Sequence, residues 1–171
     1  MPAVSQVYIV SAPVHTGKSS SILEWTGQTP GVAGIVAPEV QGLKVYVDVK
    51  TGRRFPHETR DLHLSANALE IIGPYRFLRE SFREAQRLLL SAMAEQPIWL
   101  VLDEIGKLEL WNKGLEPAAG QIIRAYKDGI VPGNLVLIIR DSLLDAARER
   151  YGIDHYCEFE LPLNPDGISG P

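Results

Sequence analysis

YIVSAPVHTGKSS, residues 8–20, runs from β-forming residues into a loop that closes on Gly17-Lys18-Ser19. A strand followed by such a loop and then a helix matches the second half of the phosphate-loop pattern G-x-x-x-x-G-K-[ST]. In that pattern backbone N–H groups point inward at phosphate oxygens, the lysine reaches the outer phosphates and the hydroxyl ligates Mg²⁺. Ala12 stands where the pattern opens on glycine, and His15 replaces a glycine that many such loops use. Histidine is among the side chains that tolerate a positive φ, so the expectation is weakened rather than abolished binding, with the ring either turned outward or directed at phosphates. Lys18 is expected at the β- and γ-phosphates, where the start of the helix adds free N–H groups and the positive end of its dipole. Ser19 is the expected Mg²⁺ ligand. Ser20 and Ser21 either add phosphate contacts or are ordinary first-turn serines.

Outward from this stretch, the chain alternates strands and helices. The first helix is expected from Lys18 to near Gly27. GVAGIVAPEVQGLKVYVDVKTGRRF, residues 31–55, reads as two strands joined at Gln41-Gly42. Val45, Val47 and Val49 alternate there with Lys44, Tyr46, Asp48 and Lys50, which predicts one buried and one wet face. Residues 56–74 carry no clear period and are expected to be loop with short inserted structure. Leu78, Phe82, Ala85, Leu89 and Ala92 form an apolar stripe at helical spacing. Ile98 to Leu102 are all apolar, as in a parallel strand covered on both faces and ending at Asp103; NLVLIIRD is a second such strand, ending at Arg140. Further helices are expected around residues 117–127 and 142–150, and a last strand over 156–161. This order specifies a single layered α/β domain over residues 1–171, with a core at about 4–163, a frayed tail at 164–171 and a largely parallel central sheet. No internal repeat or low-complexity tract interrupts it.

Composition sets the outer bounds. The 171 residues suit one compact domain, and 45% hydrophobic with 22% charged residues is ordinary for a globular protein. A net charge of −4 argues against a partner held by phosphate attraction, such as nucleic acid. The N-terminal stretch has neither the charge pattern of a secretory signal nor the length of a spanning helix, so a cytosolic protein with no membrane partner is expected. The lone Cys157 cannot form an internal disulfide, and the four histidines show no zinc-ligand spacing.

In open α/β sheets ligands bind at the carboxyl ends of the strands. The three best buried strands end on the Gly-Lys-Ser loop, on Asp103-Glu104 and on Arg140. Asp103 follows four buried apolar residues, the position of a Walker-B acid that holds Mg²⁺ opposite a phosphate loop. Glu104, one residue on, is placed to orient or deprotonate an attacking water. Arg140 either senses γ-phosphate charge or pairs with Asp141 or a nearby glutamate. Arg76, Arg79, Arg83 and Arg87 fall near one helical face, and interleaved Glu80 and Glu84 favour an ion-paired, solvated surface over a phosphate lid. Trp25, Trp99 and Trp111 are expected to pack rather than to stack on a base.

With APVHTGKSS and LVLDEIGKLEL both in view, the chain resembles the small P-loop nucleoside-triphosphatases first known from thermophiles, a family that includes the cancer-related nucleoside-triphosphatases. Residues 103–110, DEIGKLEL, carry the most specific part of the likeness. GIVAPEV with VYVDVKTGRR, and IGPYRF, extend it over about residues 7–161. The resemblance implies a three-layer, RecA-like P-loop fold with a mixed sheet, and slow Mg²⁺-dependent hydrolysis of several nucleoside triphosphates with little base selectivity. It also implies a phosphate loop made of Ala12, Pro13, Val14, His15, Thr16, Gly17, Lys18, Ser19 and Ser20. Asp103 becomes the Walker-B acid and Glu104 the water-handling acid. Two other functions fit the same loop: a small-molecule or nucleotide kinase, which needs an acceptor pocket, and a nucleotide-binding switch that signals to a protein partner through residues 56–74.

Overall fold

A computed structural model describes residues 4–12 and 17–160. Along the chain the elements are β1 (Ser5–Ala12), α1 (Lys18–Gln28), β2 (Val32–Val36), β3 (Glu39–Val40), β4 (Leu43–Asp48), β5 (Arg54–Pro56), β6 (Leu69–Ile72) and β7 (Tyr75–Leu78). They continue with α2 (Arg79–Ala94), β8 (Trp99–Ile105), α3 (Lys107–Leu110), α4 (Ala118–Lys127), β9 (Gly133–Arg140), α5 (Leu144–Tyr151) and β10 (Cys157–Glu158). Among the described residues an eight-stranded sheet runs β10-β1-β9-β8-β2-β4-β3, with β5 paired to β4. Neighbours from β10 to β2 are parallel, whereas β4 is antiparallel to β2, β3 and β5.

The two-residue period of each central strand sorts its side chains into two cores. Val7 and Ile9, Leu100 and Leu102, Leu135, Leu137 and Ile139 face α2, α4 and α5. Val10, Val101, Val136 and Ile138 face Ile22 of α1. On the α1 side Tyr8, Trp25, Trp99 and Phe159 pack ring against ring, with centroids 5.0–5.9 Å apart. Trp25 and Trp99 therefore pack as expected, while Trp111 is 58% exposed. The result is three layers around a largely parallel, mixed sheet, the predicted class. Among the described residues no helix is long and apolar enough to cross a membrane.

Several local expectations need correction. β4 has no wet face over its second half: Tyr46 and Asp48 are buried along with Val47, because β5, α2 and the β6–β7 hairpin cover the side that alternation assigns to solvent. The segment 56–74 is loop with short inserted structure, as expected, and the inserted strand Leu69–Ile72 pairs with Tyr75–Leu78 through a Gly73-Pro74 turn. That pairing takes Arg76 and Leu78 out of the helix, so Arg76 does not share a helical face with the other arginines. β8 passes Asp103 and runs to Ile105, while Ile98 lies before it and is 58% exposed. Residues 107–110, which lie before the expected helix at 117–127, form the additional short helix α3. The expected helix 142–150 begins as a 3₁₀ turn, Asp141–Leu143. The described last strand is Cys157–Glu158; Leu161 and the tail 164–171 lie outside the described residues.

Candidate active site

The carboxyl edge of the sheet collects the sequence motifs. In register, Ala12 of β1 lies beside Arg140 of β9, and Ile138 stands between Val10 and Asp103. The strand ends that carry the loop, the acid pair and the arginine are thus neighbours. Pro13, Val14, His15 and Thr16 lie outside the described residues. Gly17 caps α1 with φ 77° and ψ 21°, a left-handed conformation that glycine adopts without strain. Its carbonyl accepts from Ser21 N at 3.0 Å, closing the first turn. This turn sets Lys18, Ser19 and Ser20 on the wall of a cavity of about 470 Å³ that also takes in Asp103, Glu104 and Arg140.

One contact joins the two motifs. Ser19 Oγ donates to Asp103 Oδ2 at 2.6 Å, and Ala37 N, just past β2, donates to the same oxygen at 2.9 Å. Asp103 is fully buried, and its Oδ1 has no hydrogen-bond partner among the described residues. Burial raises its pKa, and Glu104 adds to the rise; Lys44, the Ser19 hydroxyl and the Ala37 amide act against it. An orphaned carboxylate oxygen is rare in a protein interior because it forfeits its solvation. A serine hydroxyl that donates to the acid keeps its lone pairs for another partner. Together they make a hard-oxygen donor set of the kind that suits Mg²⁺.

Glu104 does not stand alone. Lys44 Nζ lies 3.3 Å from its Oε1, with both side chains mostly buried. Burial pulls the Lys44 pKa down, but Glu104 and then Asp103 outweigh it, and the net value lies above that of an ordinary lysine. Alternation along β4 assigns Lys44 to solvent; the face it shares with Tyr46 is instead the cavity wall. The large aromatic two residues on was the available signal, since a solvated strand face seldom carries one. Glu109 is a second residue of the site that the motifs do not mark. It is buried, its Oε2 accepts from Gly106 N and its Oε1 from Leu115 N, both at 2.9 Å, so it ties the segment after β8 together. Glutamate three residues after a helix cap is the recognisable pattern. Burial, with a smaller push from Glu104, raises its pKa to about 7 against the pull of those two N–H groups.

Arg140 is half-buried, lines the cavity and makes no ion pair among the described residues, while Asp141 accepts from Ser142 N at 2.7 Å. Pairing with Asp141 is therefore not what holds it. Two arginines of α2 are paired: Arg79 meets Glu70 at 3.2 Å and Leu69 O at 3.0 Å, and Arg87 shares Glu84 with Arg53 of the chain before β5.

The fold, a largely parallel mixed sheet with flanking helices, matches a P-loop NTPase-like architecture. Among solved structures, the crystal structure of THEP1 from the hyperthermophile Aquifex aeolicus matches with a TM-score of 0.68 and 22% identity, covering 95% of this chain and 94% of that one. No family model matches the chain, and no curated protein does.

Proposed function

We propose that this chain is a Mg²⁺-dependent nucleoside-triphosphate phosphohydrolase that converts the triphosphate to diphosphate and phosphate with little base selectivity and slow turnover. The observation that carries the reading is the Ser19–Asp103 hydrogen bond, which brings the start of the loop helix against the acid of β8. When bound there, the metal supplies Lewis-acid neutralisation of phosphate charge. Lys18, at the first position of α1, meets the β- and γ-phosphates, together with the amides and the positive dipole end of that helix. Ser19 and Asp103 are the residues that hold the ion. Glu104, oriented by Lys44, accepts a proton from the water that attacks the γ-phosphorus. Arg140 faces the same space and offsets charge on the departing phosphoryl oxygens.

Phosphate release from ATP, GTP, CTP and UTP, each with Mg²⁺, tests this. Wild type should release phosphate from all four. Lys18→Ala should lose both binding and turnover, and Glu104→Gln should keep binding but turn over roughly a hundredfold more slowly. Release no greater than from Lys18→Ala overturns the assignment.

A further inference from the structure

Hydrolysis uses only part of the cavity. Lys18, Ser19, Asp103, Glu104 and Arg140 come from α1, β8 and β9, whereas the remaining wall comes from Ala37, β3, β4, His57, the β6–β7 hairpin, α2 and the start of α3, where Glu39, Lys107 and Glu109 add charge. Its β4 and hairpin side is a run of rings. Tyr46 stacks on His57 with centroids 3.9 Å apart, His57 stacks on Phe77 at 4.6 Å, and Phe77 continues to Tyr75 at 6.2 Å. Interplanar angles along it are 29°, 23° and 19°, so each ring lies within about 30° of parallel to the next. Ser81 Oγ donates to Leu78 O at 2.7 Å and so accepts from His57 Nδ1 at 2.7 Å, which leaves Nε2 as a hydrogen-bond acceptor. Burial keeps the ring neutral, with a pKa well below that of free histidine.

Position in the sheet says which end of a nucleotide this wall meets. The loop follows β1, Asp103 lies near the carboxyl end of β8, and β2 and β4 lie farther out in the same direction. A triphosphate reaching from the loop toward Asp103 presents its γ-phosphorus toward β4 and leaves its nucleoside on the other side. Glu104 and Lys44 stand at the junction between the two halves. Water needs no aromatic wall.

We propose that the β4 side of the cavity is an acceptor subsite for a small aromatic alcohol, a single aromatic or heteroaromatic ring bearing a hydroxymethyl group directed at the γ-phosphorus. The inference rests on the nucleoside-triphosphatase reading and extends it: attack by water is the acceptor-free reaction of the same centre. In transfer, the alcohol oxygen bonds to the γ-phosphorus while the bond to the β,γ-bridging oxygen breaks. The bridging oxygen leaves with its electron pair on the nucleoside diphosphate, and the hydroxyl proton passes to Glu104.

Saturation-transfer-difference NMR of the full chain with 3-pyridinemethanol and with benzyl alcohol tests the subsite, and ³¹P NMR with Mg-ATP present tests the transfer. Ring protons of the probes should saturate on wild type and equally on Lys18→Ala, and wild type should form a phosphomonoester. Phe77→Ala and the cavity-filling Ile72→Trp should each weaken the probe about tenfold, and the second variant serves if the first fails to fold. No saturation on wild type, undiminished saturation in both variants, displacement of the probe by ADP, or a bound probe that never becomes a phosphomonoester each overturns the proposal. Phosphomonoester formation without phosphate release in the probe's absence supports the subsite and removes the hydrolase reading alone.

Discussion

Asp103 and Glu109 show how burial turns one residue type into two devices. Both are acids on the β8–α3 segment, and both are raised in pKa by desolvation before anything else. Among the described residues Asp103 keeps one oxygen without a hydrogen-bond partner, whereas both oxygens of Glu109 accept main-chain N–H groups. Glu109 has a consequence for stability. Its pKa is higher in the folded protein, about 7 against 4.5, so its contribution is fully present below pH 4.5 and is lost as pH rises through about 7, by roughly 3 kcal/mol. Glu109→Gln cannot titrate. Urea denaturation across pH 4.5–8 should show the stability of wild type falling relative to the variant over that window, and parallel profiles would contradict it. Asp103 was legible because it ends an apolar run. Lys44 was not, because its significance comes from β4 pairing with β2, which sets it over the end of β8.

At the scale of elements, the parallel strands were read well because double burial leaves continuous apolar runs, and the helices α1, α2 and α4 because their caps or stripes are long enough to repeat. What stayed hidden is short. The β6–β7 hairpin has four-residue strands, and Leu78 sits at helical spacing from Phe82, so the stripe of α2 absorbed the end of β7. α3 spans only Lys107–Leu110, about one turn and too little for a period to show. β8 outlasts its apolar run because its pairing with β9 continues past the two acids to Ile105. Gly34 is an element-scale constraint on the site, since β2 carries Ala37 toward Asp103. Its φ is +118°, and a Cβ there would lie 2.1 Å from the Val101 carbonyl oxygen. Gly34→Ala should lower unfolding stability by about 2–4 kcal/mol in urea titrations. A change within about 0.5 kcal/mol, the range of an ordinary surface substitution, would show that the β2–β8 approach is not as tight as described.

Over the whole molecule, the alternation of strands and helices dictates that loops cluster at one edge of a parallel sheet, and sequence motifs fall on that edge because ligands bind there. That residues 17–19 and 103–104 share one wall of the cavity, the end proposed here for phosphate, was therefore readable from the motifs. Its aromatic end was not, because Tyr46, His57 and Phe77 belong to three separate segments that meet only when β4, the chain after β5 and the hairpin fold together. The central claim concerns the junction between α1 and β8. Titration calorimetry of Mg-ATP into wild type and into Asp103→Asn, each repeated with excess chelator, tests it most directly. The account predicts saturable heat with wild type that disappears when Mg²⁺ is removed, and affinity weakened at least about tenfold in the variant. Absence of heat with wild type, or affinity indifferent to both Mg²⁺ and Asp103, would contradict it.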